Sequence, residues 1–168
     1  MNASPKPVLH FFVGKPGAGK STLARRIATD SGAMLFCEDE WLTILAVEIN
    51  SVADYARHAA RLRRALEPVV IGLLRRGITV VLDFPCNTVK QRTWVRSLFE
   101  AADAAHLLHF LDPPDATCRA RLQQRNDDKP EGIYWGHVSQ ARYDEVVAYI
   151  NAPQAEEGFD IVRYASDN

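Results

Sequence analysis

The sequence predicts an α/β fold: a mostly parallel five-stranded sheet with helices on both faces. Five short apolar runs, rich in β-branched and aromatic residues, alternate along the chain with amphipathic stretches of helical period. Alternation of this kind is typical of a parallel sheet covered by helices in three layers. The length of 168 residues, without internal repeats or low-complexity tracts, fits a single domain over residues 1–168.

The first strand is predicted at residues 8–13, where the run VLHFFV is β-branched and aromatic and lies between a proline and a glycine. A helix is predicted at residues 20–31, because its apolar residues share one face and a glycine follows its last turn. Residues 34–37 then form a short apolar run, which predicts the second strand.

Two helices are predicted in the middle of the chain, at residues 41–50 and 54–76, the second with Asp54 as its N-cap. Pro68 lies inside the second helix and is expected to kink or split it, because proline removes a backbone donor and clashes with the preceding turn. Residues 78–82 (ITVVL) show the clearest strand pattern in the sequence.

The last third of the chain continues the alternation. Its predicted elements are helix 88–102, strand 105–111, helix 115–125, helix 139–150 and strand 161–164. Between the last two helices, residues 126–137 are polar and contain glycine and proline, so they predict a loop or a small mobile lid.

The residues from Gly14 to Ser21 (GKPGAGKS) match the phosphate-binding pattern G-x-x-x-x-G-K-[ST] at every fixed position. Glycines let the backbone wrap a phosphate closely, and the N–H groups of the loop and of the following helix form an anion-binding nest. Lys20 is predicted to reach the β- and γ-phosphates, and Ser21 to ligate Mg²⁺. A chance glycine-rich turn is the alternative, but the match follows a predicted strand and opens a predicted helix, as this mechanism requires.

Asp83 follows the strand at residues 78–82. Ligands of open parallel sheets bind at the carboxyl ends of the strands, so Asp83 and the P-loop are expected to share one crevice. Asp83 is therefore predicted to hold Mg²⁺ together with Ser21, through a bound water. The alternative is an aspartate that ends the strand and caps the next turn.

Three consecutive acidic residues, Glu38, Asp39 and Glu40, follow the second predicted strand. A carboxylate at this point could accept a proton from an acceptor hydroxyl in line with the γ-phosphate, and Asp39 is the preferred candidate. A helix N-terminus that favours acidic residues through its dipole explains the cluster equally well.

Arg121 and Arg125 are four residues apart on a predicted helix that leads into the predicted lid, so they share one face. Arginines in this position can close over a triphosphate and neutralise charge that develops during transfer; a solvated helix face is the competing interpretation. Arg57, Arg61 and Arg64 also share a face, and there solvation is preferred over a site for an acidic substrate.

The bulk properties exclude several classes of function. A net charge of −1 provides no general attraction to nucleic acid or to an anionic membrane, and no apolar run is long enough to span a bilayer. The three cysteines, an odd number without C-x-x-C spacing, favour a reducing compartment, so a cytoplasmic location is predicted. The five histidines lack metal-ligand spacing, which argues against a zinc site. No pattern predicts an oligomeric state.

With these motifs in view, the chain resembles the small P-loop kinases of the family that contains polynucleotide 5′-kinase, chloramphenicol phosphotransferase, zeta-toxin-like kinases and gluconate kinase. It is most similar to their many bacterial members labelled AAA-family ATPase or predicted kinase. The matching pieces are GKPGAGKSTLA at residues 14–24, CEDE at 37–40, VVLDFPCNTVKQR at 80–92, LDPPDATCRARLQQRN at 111–126 and EEGFDIVRY at 156–164.

The resemblance implies a P-loop NTPase fold with a lid at about residues 126–137 and Mg-ATP as the phosphoryl donor, and it does not identify the acceptor. The leading hypothesis is transfer of the γ-phosphoryl group of Mg-ATP to a hydroxyl of a small molecule. In this resemblance, Asp39 occupies the position of the carboxylate near the acceptor hydroxyl. Arg121 and Arg125 occupy the positions of the lid arginines, which act with Lys20. The residues expected to bind ATP are Gly14, Pro16, Gly17, Ala18, Gly19, Lys20, Ser21, Thr22 and Arg125.

Two other functions compete with a small-molecule kinase. Polynucleotide kinases carry an arginine three residues after the aspartate, where this chain has Leu42, and together with the near-neutral charge this counts against a 5′-hydroxyl kinase of nucleic acid. A stand-alone ATPase or nucleotide switch that acts on a protein partner is the other alternative. Against it, the chain has no N-K-x-D motif and is too short for the extra helical domain of ring-forming ATPases.

Overall fold

The computed structural model describes residues 5–131 and 135–165. Its strands are β1 (Val8–Gly14), β2 (Met34–Cys37), β3 (Val80–Pro85), β4 (Ala105–Leu111) and β5 (Ile161–Tyr164). Its helices are α1 (Lys20–Ser31), α2 (Glu38–Ile44), α3 (Val52–Arg75), α4 (Val89–Ala102), α5 (Asp115–Asp128) and α6 (Gln140–Val147), with a 3-10 helix at Ala155–Glu157. Within the described residues, the strands form one parallel sheet in the order β2-β3-β1-β4-β5.

Two hydrophobic cores lie on opposite faces of this sheet, and the central strand β1 contributes to both. Leu9, Phe11 and Val13 pack with α3 and α4, whereas Phe12 packs with α1, α5 and α6. Successive strand residues point to opposite faces, so a strand buried on both sides needs an almost continuous apolar run. The predicted α/β fold, a five-stranded parallel sheet with helices on both faces, is confirmed.

The pairing between β1 and β3 is irregular near the carboxyl edge of the sheet. Phe11 is paired with Leu82, but the next residue, Phe12, is paired with Pro85. Asp83 is one of the residues of β3 skipped by this shift, so it has no paired residue in β1. The irregularity lies at the edge where parallel α/β folds bind their ligands.

Two helix starts differ from those predicted. Helix α2 covers Glu38–Ile44 rather than residues 41–50, because the acidic residues themselves form its first turn, where the helix dipole favours negative charge. The predicted N-cap Asp54 is wrong, since the side chain of Ser51 caps α3 by accepting a hydrogen bond from the Asp54 N–H. A serine hydroxyl and a carboxylate are comparable caps, so the sequence did not separate them.

Helix α3 continues through Pro68 without a break, so the expected split does not occur. Proline leaves the carbonyl of Arg64 without its helical donor. Both Pro68 and Arg64 are exposed, so water can satisfy that carbonyl at little cost. Helix α5 also ends later than predicted, at Asp128. None of the helices in the described parts of the chain is both long and apolar enough to cross a membrane.

Candidate functional site

A cavity of about 1050 Å³ opens at the carboxyl edge of the sheet. Its floor is the loop from β1 to α1, residues 14–21, hereafter the phosphate loop. One wall comes from α2, residues 45–51 and the first turn of α3, and the other from α5 and residues 135–138. Pockets for one drug-sized ligand measure about 300–1,000 Å³, so this cavity can hold the phosphates of a nucleotide beside a second small molecule.

Two glycines of the phosphate loop are required by the packing of the protein itself. A Cβ on Gly17, which has a φ of 77°, would overlap the carbonyl oxygen of Cys118 in α5. A Cβ on Gly14 would lie 2.5 Å from the carbonyl oxygen of Leu111 in β4. The sequence explained these glycines by the close approach of a phosphate, and the structure shows that they also let β4 and α5 approach the loop.

Asn87, a buried residue just after β3, holds the start of the phosphate loop. Its side-chain oxygen accepts a hydrogen bond from the Gly14 N–H at 2.9 Å, and its carbonyl accepts one from the Asn151 N–H at 2.8 Å. The loop is thereby fixed to the β3 side of the sheet. No sequence pattern indicated Asn87, because a single buried asparagine is recognised only by its contacts.

Lys20 lies at the end of the phosphate loop, and its Nζ donates to the carbonyls of Gly14 at 2.6 Å and Lys15 at 2.8 Å. Burial lowers the pKa of Lys20 to about 8, although the carboxylates of Asp83 and Asp39 partly oppose this shift. An ammonium held by neutral carbonyls with little solvent is stabilised further by any anion that enters the site. This position suits the predicted contact with the β- and γ-phosphates.

The Ser21 hydroxyl and the Asp83 carboxyl are hydrogen-bonded to each other beside the phosphate loop. Burial raises the pKa of Asp83, while the Ser21 hydroxyl and Lys20 lower it. Two oxygen ligands next to a phosphate site suit Mg²⁺, which takes few protein ligands and completes its octahedron with phosphate oxygens and water. Within residues 5–131 and 135–165, no group of three or more His, Cys, Asp or Glu side chains could hold a metal ion.

Asp39 lies in the first turn of α2, with its carboxylate in the cavity. It keeps access to solvent, but the cleft removes enough water to raise its pKa, and the charge of Asp83 raises it further. Lys20 and Arg125 oppose that shift through their positive charge. The structure thus brings together four of the predicted site residues around one point of the cavity.

Glu38, the neighbour of Asp39, is fully buried and forms a network that the sequence did not indicate. Its carboxylate accepts hydrogen bonds from the Tyr55 hydroxyl at 2.7 Å and from Arg63 Nε at 2.8 Å. Arg63 also donates to the Pro85 carbonyl. Pairing with Arg63 keeps the buried carboxylate charge compensated, as an isolated buried charge would be very costly.

The Tyr55 hydroxyl also lies 3.3 Å from Asp39 Oδ1. A phenol has one proton, so it can donate to Glu38 or to Asp39 but not to both at once. Tyr55 therefore links the buried pair to the carboxylate that faces the cavity. The sequence contained no signal for this link, because Tyr55 follows Glu38 by 17 positions on another helix.

We expect Tyr55→Phe to loosen Asp39 and to leave Glu38 with one donor fewer. The free energy of unfolding should fall by about 1–2 kcal/mol, as for a buried acceptor that loses a partner. If Asp39 acts on the acceptor, the rate of transfer should fall about tenfold while the affinity for ATP stays unchanged. Denaturant unfolding and nucleotide titration measure the two effects. A loss of ATP affinity equal to the loss of rate would contradict the positioning of Asp39 by Tyr55.

Helix α5 carries Arg121 and Arg125, and both line the cavity. The positive charge of Arg125 lowers the pKa of both Lys20 and Asp39. Helix α5, which carries Arg125, packs against the phosphate loop at Gly17. Arg121 also lines a second, smaller cavity.

The predicted lid at residues 126–137 begins inside α5 rather than after it. Asn126 is buried, and its side-chain amide donates to the Val138 carbonyl at 2.8 Å and accepts from the Val138 N–H at 3.2 Å. The two ends of the segment are therefore tied together. Trp135 lines the cavity, whereas residues 132–134 of the predicted lid lie outside the described residues.

Most of the predicted site residues line one of the two cavities. The larger cavity is lined by Pro16, Gly17, Gly19, Lys20, Ser21, Thr22, Asp39, Asp83, Arg121 and Arg125. Ala18 lines the smaller cavity instead. Gly14, the first residue of the loop, lines neither of the two cavities, and its carbonyl accepts a hydrogen bond from Lys20. Of the described residues that line the larger cavity, none belongs to the set Arg57, Arg61 and Arg64.

The smaller cavity, of about 280 Å³, lies beside α1 on the β4 side of the phosphate loop. Its lining residues are Ala18, Gly19, Thr22, Leu23, Arg26, Leu111, Pro113, Arg121 and Tyr164. Behind it, the Tyr164 hydroxyl lies 3.0 Å from Nδ1 of His109, whose Nε2 lies 3.0 Å from His10 Nδ1. Burial, and then the charge of His10, lowers the pKa of His109 to about 4, and burial also lowers the pKa of His10. Both shifts favour the neutral imidazole.

A family model described as an AAA domain matches residues 9–150, a range that contains the phosphate loop, Asp39, Asp83 and all of α5. A search of curated proteins finds no match to the chain.

Several solved structures share the fold. A candidate kinase from Chloroflexus aurantiacus is 17% identical, with a TM-score of 0.73 over 97% of this chain and 87% of that one. The APS kinase CysC of Mycobacterium tuberculosis, in complex with AMPPNP and APS, is 23% identical, with a TM-score of 0.60 over 98% and 91% of the two chains. Kti12 of Chaetomium thermophilum, in complex with ADP-AlF3, is 15% identical, with a TM-score of 0.67 over 95% and 88%.

At these identities the likeness shows the fold alone. Together with the family match, it confirms the resemblance described from the sequence at the level of an AAA-type P-loop fold that kinases share.

Proposed function

Because the chain belongs to the AAA domain family, we propose that it is a phosphotransferase that moves the γ-phosphoryl group of ATP to a hydroxyl of a small molecule. The observation that carries this proposal is the convergence of Lys20, Asp39, Asp83 and Arg125 on one cavity with room for two ligands. The names of two structural neighbours, the APS kinase and the candidate kinase of Chloroflexus aurantiacus, support a kinase, and those structures share the fold of this chain.

The phosphate loop would bind the triphosphate with its backbone N–H groups and the positive end of the α1 dipole. Lys20 would move from the carbonyls of Gly14 and Lys15 to the phosphate oxygens, which restores the stability of its charged form. The nucleoside would extend along the β4 side, where the smaller cavity offers Pro113 and Tyr164 as flat packing surfaces.

Ser21 and Asp83 would hold the Mg²⁺ ion, Asp83 through a bound water, because their oxygens lie together beside the loop. The ion would supply charge neutralisation between the β- and γ-phosphates. The protein holds its own part of this site in place by seating Asp83 at the irregular end of β3.

In the transfer step, the acceptor oxygen forms a bond to the γ-phosphorus while the bond from that phosphorus to the bridging β,γ-oxygen breaks. ADP leaves with the electron pair of that bond, and the proton of the acceptor hydroxyl passes to Asp39. A carboxylate whose pKa is raised is a better proton acceptor than an ordinary aspartate. Positioning and charge stabilisation by Lys20, Arg121 and Arg125 would supply most of the rate.

We expect Arg125→Ala to lower the rate of transfer by about 10²-fold, because one group that stabilises charge in a transition state contributes about that much. Arg76→Ala is the matched control, since Arg76 is exposed at the end of α3 and its guanidinium donates to the Gly72 carbonyl. ADP formation at saturating ATP measures both variants. Equal rates in the two variants would remove Arg125 from the proposed mechanism.

The function is tested by ADP release from Mg-ATP, alone and with a panel of hydroxyl acceptors. The panel contains sugars, sugar acids, nucleosides, aminoglycosides, phenicols and a 5′-hydroxyl oligonucleotide. Release that requires one acceptor supports a kinase and identifies its acceptor. Steady release without any acceptor would contradict the proposal and indicate an ATPase or switch that serves a protein partner.

For the setting of the enzyme, we infer a cytoplasmic protein with one domain over residues 1–168 and a lid at about 126–137. Cys37, Cys86 and Cys118 are buried and form no disulfide with one another, which is consistent with the reducing compartment inferred from the sequence.

A further inference from the structure

The topology of the sheet divides the large cavity at the phosphate loop. This loop follows the central strand β1, with β4 and β5 on one side and β3 and β2 on the other. The smaller cavity and α5 lie on the β4 side, where the proposed function places the nucleotide. The acceptor must then enter from the β3 and β2 side, where Asp83 and Asp39 end or follow those strands.

The wall of the cavity on this side comes from α2, residues 45–51 and the start of α3, and we call it the acceptor wall. Its lining residues are Asp39, Leu42, Thr43, Val47, Ile49, Asn50, Ser51 and Tyr55. Three of them are aliphatic, and Ile49 is 38% exposed, so the wall offers an apolar surface to a ligand. Thr43, Asn50 and Ser51 add neutral hydrogen-bonding groups.

The acceptor wall carries no positive charge. The continuous segment 38–56, to which all its residues belong, contains five carboxylates and no lysine, arginine or histidine. Behind the wall, Arg63 is 13% exposed at its side chain, and its guanidinium is engaged by Glu38 and the Pro85 carbonyl. Arg57, which follows the segment, is paired with Asp54 at 2.7 Å. An anionic group laid on this wall would therefore meet the carboxylate of Asp39 with no cation of the wall to compensate it. The two cations whose charge acts on Asp39, Lys20 and Arg125, lie across the cavity, where the triphosphate would engage them.

The cations of the cavity lie on its other side. Lys20 ends the phosphate loop, and Arg121 and Arg125 project from α5, where a triphosphate would engage them. Arg142 of α6 is already paired with Glu145 at 3.4 Å. The lysine and arginine side chains of the cavity are thus separated from the acceptor wall. They lie toward the nucleotide, together with Asp128 of α5, and Asp39 is the one charged side chain among the described residues that line the wall.

From this separation, and on the basis of the proposed function, we propose that the acceptor is a hydroxyl compound without an anionic group, neutral or cationic, that lays an apolar face on Val47 and Ile49. Its reacting hydroxyl lies at Asp39, and its other polar groups bond to Thr43, Asn50 and Ser51. Phosphorylated sugars, sugar acids and the 5′-phosphates of nucleotides are excluded as acceptors by this arrangement.

A fractionated extract tests the proposal without prior choice of a compound. A protein-free small-molecule extract of bacteria is separated on an anion exchanger at neutral pH into an unretained fraction, which is neutral or cationic, and a retained anionic fraction. Each is incubated with the wild-type protein and γ-labelled Mg-ATP, with Lys20→Ala as the blank. Label transferred to organic products in the unretained fraction is the expected result.

The two ways of failing are distinguishable. Transfer of label only in the retained fraction would show that the acceptor is anionic. That result would overturn this proposal while leaving the phosphotransferase function in place. Transfer in neither fraction would contradict the phosphotransferase function itself.

Charge variants of Thr43 test the acceptor wall directly. Thr43 is exposed, lines the wall and donates only to the Asp39 carbonyl of its own helix, so longer side chains fit without changing the core. Thr43→Arg supplies the missing cation, and Thr43→Gln is a neutral control with a long side chain. Acceptors are compared in pairs that differ by an anionic group, such as a nucleoside and its monophosphate or a sugar and its sugar acid.

For each pair, we take the ratio of kcat/KM for the anionic member to kcat/KM for the neutral member. This ratio should be about tenfold higher in Thr43→Arg than in Thr43→Gln, the effect of about one favourable charge pair at the mouth of a cavity. An equal ratio in the two variants would show that the wall does not face the acceptor and would overturn the proposal.

Discussion

Replacing Lys20 by alanine is expected to lower the rate of phosphoryl transfer by about 10³-fold, a larger loss than the one expected for Arg125→Ala. The ammonium is the only side-chain cation on the described phosphate loop that is hydrogen-bonded to the loop's own carbonyls, so it lies where the β- and γ-phosphates would sit. The fold should remain, because the loss of the hydrogen bonds of the ammonium is offset by the removal of a buried charge. The free energy of unfolding should therefore change by no more than about 1 kcal/mol. Single-turnover transfer and denaturant unfolding measure the two quantities.

Lys15→Ala is the matched control for this substitution. Lys15 lies on the same loop, but its ammonium is 3.7 Å from the carboxylate of Asp112, away from the cavity centre. If both variants lose activity equally, the loss reflects the net charge of the loop rather than the position of Lys20.

The pKa of Lys20 also predicts how binding depends on pH. In the nucleotide-free protein this pKa is about 8, and phosphates must raise it, so binding above pH 8 requires the uptake of a proton. The affinity for ATP is therefore expected to fall as the pH rises above about 8, and Lys20→Ala should lose that dependence. Calorimetry in buffers of different ionisation enthalpy detects the proton directly.

Asp39→Asn is expected to keep the affinity for ATP near that of the wild type while the rate of transfer falls by about 10²–10⁴-fold, the usual contribution of a positioned general base. Asparagine keeps the shape of the side chain and can still contact Tyr55, but it cannot take the proton of the acceptor hydroxyl. Nucleotide titration and acceptor-dependent ADP release separate the two effects. An unchanged rate would show that Asp39 takes no part in transfer and only stabilises the N-terminus of α2 through the helix dipole.

The dependence of the rate on pH gives a second test of Asp39. Burial and the charge of Asp83 raise the pKa of Asp39, and only the deprotonated form can accept a proton. The rate in the wild type should therefore decline with falling pH at a higher pH than an ordinary aspartate would produce, and Asp39→Asn should lack this decline. Glu40→Gln, a change in the same acidic cluster, serves as the control and should keep the wild-type profile.

The sequence predicted the features that depend on neighbouring residues. Strand and helix patterns are local, so all five strands and the alternation of layers were found, and the family match agrees with the fold. The predicted helix starts were less accurate, because Ser51 and Asp54 are comparable N-caps. The predicted break at Pro68 did not occur, because an exposed proline destabilises a helix less than a buried one. The predicted roles of the site residues stay predictions, although Lys20, Asp39, Asp83 and Arg125 do meet at one cavity.

By itself, the sequence determined the fold class and the position of the phosphate loop. A nest of backbone N–H groups needs glycines, and the phosphates and Mg²⁺ need a lysine and a serine, all at fixed spacing within eight residues. Only the tertiary structure decided what surrounds that loop. Asn87 anchors it, Arg63 is neutralised by Glu38, and Tyr55 reaches Asp39 from another helix. These contacts join residues distant in sequence, and their strength comes from burial, which no local pattern records.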